Sequence, residues 1–241
     1  MSPRAQPAKH EAGSPRRRTP TSVRHPLVRA LLGLTFVTGM VDAVSFLALG
    51  SVFVANMTGN IVLLGFGIAG TASLEVIAPL ISLGSFALGA CVGGILGSRL
   101  ADRHPRHMLA ALGCEVSLVG AAALFAASVD VRANDPTGDA VIALLALAMG
   151  VRTATTRRLG VPDLTTTVVT LAVAGLAADS KLAGGSGEGS ARRVAAASAV
   201  LVGAVAGALL LRISVALALA IAAGFSLLTL LVYLRAARGR G

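Results

Sequence analysis

Eight apolar stretches alternate with short polar ones along the chain. They are Val28–Leu49, Asn56–Gly70, Leu74–Leu100, His107–Val129, Ala140–Thr156, Pro162–Ala178, Ala191–Leu211 and Ile213–Leu234. Most have no polar face, which a helix on a soluble core would need. Several approach the roughly 20 apolar residues that cross a bilayer. Helix is the predicted state of all eight, because only helices and closed barrels satisfy every backbone group in lipid. Barrel strands would be shorter and would alternate, and these do not. The second and sixth stretches are short, as is the fifth. The expected fold is therefore an all-α polytopic transmembrane helix bundle.

Charge decides which stretches cross. If all eight did, with the Arg-rich start of the chain inside, Arg99–His107 and Arg157–Arg158 would lie outside, against the positive-inside rule. If Asn56–Gly70 and Pro162–Ala178 each enter and leave on one side, every basic loop falls inside. The loop Asp130–Asp139, with its three aspartates, then falls outside. That gives six spans plus two short re-entrant or broken helices, with both termini cytoplasmic. Each half then crosses three times, so the halves are inverted.

The two halves, 28–129 and 140–234, also resemble one another in sequence. Gly39-Met40-Val41-Asp42 answers Met149-Gly150-Val151-Arg152, and Leu49-Gly50 answers Leu159-Gly160. Thr58-Gly59-Asn60 answers Thr165-Thr166-Thr167, and Gly89, Gly93 and Gly97 answer Gly203 and Gly207. An inverted internal repeat with interrupted helices is a recurring transporter and channel plan.

Composition agrees. Hydrophobic residues are 55% and charged residues 13%. Mean hydropathy is +0.80. The formal charge of +10 sits in tails and short loops, with aromatics at 3%, so nucleic acid is not an expected partner. The expected partner is the bilayer. Residues 1–27 read as a disordered basic tail and 236–241 as a second basic tail, flanking one transmembrane domain, 28–235. Cys91 and Cys114 read as small buried thiols on neighbouring helices. His104 and His107 read as solvated. No zinc, redox, nucleophile-elbow or phosphate-loop pattern occurs, so no cofactor, metal or enzymatic activity is expected.

The stretches Gly39–Asn60 and Gly160–Ser180 resemble the two signature blocks of the YoaK-like family of bacterial membrane proteins, with similarity from Leu31 to Val232. The resemblance implies an integral inner-membrane protein with about six helices. It implies no activity and carries over no functional residue.

Candidate chemistry is therefore read from the residues themselves. Polar groups in lipid are costly and usually face a packed interior or a water-filled cavity. Asp42 lies mid-span and is expected, with Arg152, to line a central cavity, either binding a proton or cation or pairing with Arg152. Asn56, Thr58 and Asn60 start one short helix, and Asp163, Thr165 and Thr166 start the other. Helix N-termini suit anions and polar solutes, although such residues are also ordinary caps. Glu115 is a candidate proton relay, with pairing to an arginine of the Arg99–Arg106 loop as the plainer expectation. Together these point to a small-solute or ion transporter or channel. The alternative is a membrane scaffold or regulatory subunit. Its Gly-rich helix faces would pack on another protein or on a second copy.

Overall fold

A computed structural model describes residues 26–70, 76–100, 104–159, 167–180, 183–185 and 189–238. The described residues form α1 (Pro26–Ala48), α2 (Met57–Ile68), α3 (Ile77–Arg99), α4 (His104–Ser128), α5 (Pro136–Leu159), α6 (Thr167–Ala178), α7 (Ser190–Leu210) and α8 (Val215–Arg238). Six of these are long and apolar enough to cross a bilayer: α1, α3, α4, α5, α7 and α8. The other two, α2 and α6, have 12 residues each. At 1.5 Å per residue they reach about 18 Å, well short of a hydrocarbon core of about 30 Å. The fifth element is longer than its apolar stretch suggests. It starts at Pro136, in the first helical position, and runs through Arg157 and Arg158.

Close contacts fix the chain directions. Gly203 and Gly207 of α7 lie on Phe36 and Met40 of α1, so these two helices run the same way. Gly89 and Gly93 of α3 lie on Leu147 and Val151 of α5, so that pair also runs the same way. Gly138, at the start of α5, meets the carbonyl of Leu49, at the end of α1. Hence α5 opposes α1. Gly33 against Thr229, with Phe36 against Phe225, makes α8 antiparallel to α1. Gly97 meets both His107 and Arg158, which joins the end of α3, the start of α4 and the end of α5.

Two faces result. One holds the end of α1, the start of α3, the loop with Asp130 and Asp135, and the α7–α8 turn at Arg212. The other holds Arg99, Arg106, Arg157, Arg158, Arg192 and Arg193, and both described chain ends. Because α1 ends and α3 begins on the acidic face, α2 enters and leaves there. By the same reasoning α6 enters and leaves on the basic face.

The core lies on α1 and α5, whose spans are the most enclosed of the six. Met40, Val41, Val44, Ile142, Leu145 and Met149 are fully buried, together with Val119 of α4 and Leu219 of α8. Outer α3 and α7 show lipid-type side chains such as Leu88, Ile95, Leu201 and Leu209. Gly89, Gly93, Gly97, Gly203 and Gly207 face inward. A Cβ at Gly89 or Gly203 would overlap a neighbouring backbone carbonyl, so only glycine permits that approach. Cys91 is exposed on α3 and Cys114 is partly buried on α4, so the expectation of two buried thiols fails for Cys91.

Candidate functional site

Between α1 and α2 the chain runs without helix through Val52–Asn56, at a depth set by Asp42. Backbone groups freed inside a membrane must find partners. The polar side chains of the first half supply them. Asp42 Oδ1 accepts the amides of Val54 (2.9 Å) and Ala55 (2.8 Å). Asn60 Oδ1 accepts the Phe53 amide at 2.9 Å, and Asn60 Nδ2 donates to the Phe53 carbonyl at 2.6 Å. Ser82 of α3 donates to the same carbonyl at 2.7 Å. Asn60 is wholly buried and lines neither large cavity described below. Its role is to hold the extended stretch.

Asp42 differs from Asn60. It is half-buried and lines a cavity of about 560 Å³ between α1, the extended stretch before α2, α6 and α7. With Oδ1 satisfied, Oδ2 makes no hydrogen bond within the described residues. Asn56 and Thr170 add polar groups to apolar walls such as Leu47, Val200 and Val205. A second cavity of about 910 Å³ shares Phe46, Phe53, Asn56 and Thr170 with the first and continues to Thr58, Phe86 and Thr153. Phe46 and Phe53 stack with centroids 4.9 Å apart, and this pair borders both chambers. Asn56 occupies the N-cap position of α2 but makes no side-chain cap bond, which leaves its amide to the chambers. Thr58 is exposed. Asp163, Thr165 and Thr166 lie outside the described residues.

Arg152 does not pair with Asp42. Its Nη1 bonds Glu115 Oε1 at 3.0 Å and the Leu34 carbonyl at 3.0 Å, and its Nη2 bonds Thr38 Oγ1 at 2.5 Å. Ser226 donates to the same Glu115 oxygen at 3.0 Å. This knot ties α1, α4, α5 and α8 together, with Glu115 fully buried and Arg152 8% exposed. Glu115 therefore takes its arginine from α5, not from the Arg99–Arg106 loop. Neither residue lines the two large chambers.

Packing explains the difference. Gly39 sits on Val200 and Ala204 as Gly150 sits on Phe86 and Ala90. The step along the chain that carries Gly39 to Gly150 carries Asp42 to Thr153, and Val41 to Arg152. Aligning the two stretches one residue out of register turns a side chain by about 100° around the helix. His107 is buried and lies 3.4 Å from Thr155 Oγ1, so it is not a solvated loop residue. On the basic face, Arg193 Nη1 bonds the Gly175 carbonyl and Asp179 (2.6 Å), strapping the end of α6 to the start of α7.

Sequence reading missed Thr153, Thr170, Phe46 and Phe53 as chamber residues, and Ser82, Thr38 and Ser226 as partners. The phenylalanines left one signal: two of the seven in the chain lie just before and within the break that follows Asp42.

Six spanning helices and two short ones that turn back within the bundle define a multi-pass helical membrane protein. The chain belongs to the family described as Protein of unknown function (DUF1275), which matches residues 30–232. It is 34% identical over 151 residues to the UPF0700 transmembrane protein YoaK of Bacillus subtilis (strain 168). That stretch is 62% of this chain and 65% of the relative, so the chain spans just under two thirds of the relative's length. No solved structure matches it.

Proposed function

We propose that the protein moves a small solute or ion across the bacterial inner membrane, between two inverted repeats, with the Asp42 chamber as its binding site. The observation that carries this reading is the carboxylate itself. Asp42 lies six residues inside the end of α1 and leaves one oxygen to a cavity of about 560 Å³. A charge at that depth is expensive unless it serves a site. The volume falls within the roughly 300–1,000 Å³ of ordinary small-ligand pockets.

The repeat reading is supported by the matched pairs: α1 on α7 as α5 on α3, α1 on α8 as α5 on α4, and α2 on α3 as α6 on α7. Rocking of one such unit against the other would open the chamber alternately to each face. The basic face is cytoplasmic in this reading, by the positive-inside rule, and both termini lie there. No catalytic role is assigned to any residue. The scaffold alternative loses its main support, because the inward glycines of α3 and α7 are already used within the chain.

The test is uptake into proteoliposomes across a panel of cationic, neutral and anionic solutes, with Asp42→Asn beside the natural protein. Asparagine keeps an oxygen for the Val54 and Ala55 amides and removes the charge. Uptake of at least one solute, lost in the variant, is expected. Equal flux in both proteins would remove Asp42 from the site.

A further inference from the structure

We infer that the Asp42 chamber takes a monovalent organic cation: an ammonium group carrying apolar substituents. The inference rests on the transport site proposed above and names its ligand class. Among the described lining residues Asp42 is the only ionisable one. None of the described lining residues is an arginine, lysine or histidine that could balance it. The amides of Val54 and Ala55 are taken up by Oδ1, and Oδ2 is left to the ligand. The N-terminus of α2 opposes a cation with about half an elementary charge. A full carboxylate charge outweighs it.

The walls decide between a bare metal ion and an organic one. A hard cation takes several oxygen ligands, commonly about six. Here the described lining offers one free carboxylate oxygen, the Asn56 amide and the Thr170 hydroxyl. The rest is aliphatic or aromatic, and the Phe46–Phe53 stack stands at the border. A carboxylate beside aromatic rings in an apolar cavity is the chemistry that recognises alkylammonium groups. An anion would meet Asp42 with no compensating charge among the described lining residues. A neutral solute would leave its charge unmatched.

The probe is radiolabelled tetraethylammonium, bound at equilibrium to the full-length protein in lipid nanodiscs. Competitors are tetramethylammonium, sodium, and 3,3-dimethyl-1-butanol as a neutral body of similar shape. Saturable binding is expected, displaced by tetramethylammonium but by neither sodium nor the alcohol. Asp42→Asn should weaken it about tenfold or more. Phe53→Leu, which keeps an apolar side chain but removes the ring, should weaken it about threefold. Thermal melting checks that each variant is folded, and Phe53→Leu carries the test if Asp42→Asn is not. Absent binding to the folded natural protein, equal binding in the variants, or equal displacement by the alcohol would each overturn the inference. Asp42-dependent uptake of a neutral or anionic solute without tetraethylammonium binding overturns the cation class and leaves transport standing. Binding with no flux of any solute does the reverse.

Discussion

Glu115 and Arg152 are partners that leave each other little choice. Taking one away leaves a buried charge with nothing to neutralise it, which costs about 3–5 kcal/mol in proteins. Arg152→Met alone should therefore lower the melting temperature in detergent sharply. Adding Glu115→Leu should recover most of the loss, since a well-packed apolar pair replaces the ions. If the double variant melts no higher than the single one, the knot is not a closed unit. Asn60→Ala should destabilise by about 2 kcal/mol, because it strips the Phe53 amide of its partner and weakens the bonding of the carbonyl. Thr58→Ala, on an exposed residue, should not move the melting temperature. At this scale the sequence was half legible. That polar residues in an apolar run must serve something follows from lipid alone. Which atoms they serve depends on register. Asp42 and Arg152 look like mates when the two runs are aligned, yet the alignment that matches Gly39 with Gly150 by their contacts matches Val41, not Asp42, with Arg152.

Helices in this protein are held at distances only glycine allows. Gly150→Leu should separate α5 from α3, because its side chain would meet the Phe86 carbonyl; loss of folded protein on size exclusion is the readout. Gly84→Ala, with nothing near it, should be tolerated. The short helices give a topological prediction. In a background lacking Cys91 and Cys114, a cysteine at Ala69 should react only from the acidic side, and one at Ala183 only from the basic side. Reaction of both from one side would make one short helix a crossing. Helix α5 opens with Asp135, whose carboxylate accepts the Thr137 amide (3.0 Å) and hydroxyl (2.7 Å). These bonds, the amide first, hold its pKa below the usual 3.8. A depressed carboxylate stabilises the folded state above its ordinary pKa and loses that effect as pH falls through its lower folded value. Protection of the amides at the start of α5, taken relative to their intrinsic exchange rates, should thus fall only below about pH 4. Lengths and charges made the two short elements and the six long ones legible. The start of α5 was not, because Pro136, Thr137 and Asp139 look like loop until Asp135 caps them.

At the level of the whole molecule, each half gives its third helix to the other half's first: α7 packs on α1, and α3 on α5. Nothing in hydropathy reports that exchange, since both faces of these helices are apolar and only the glycine spacing differs. The arrangement bears on synthesis. A nascent α1 leaves the ribosome more than a hundred residues before α7 does. At about 5–20 residues per second it waits on the order of ten seconds without its mate. During that interval its small-residue flank is open to lipid, insertase or quality-control protease. Messages truncated before residue 190 should yield products that insert and are then degraded, however intact their first four helices.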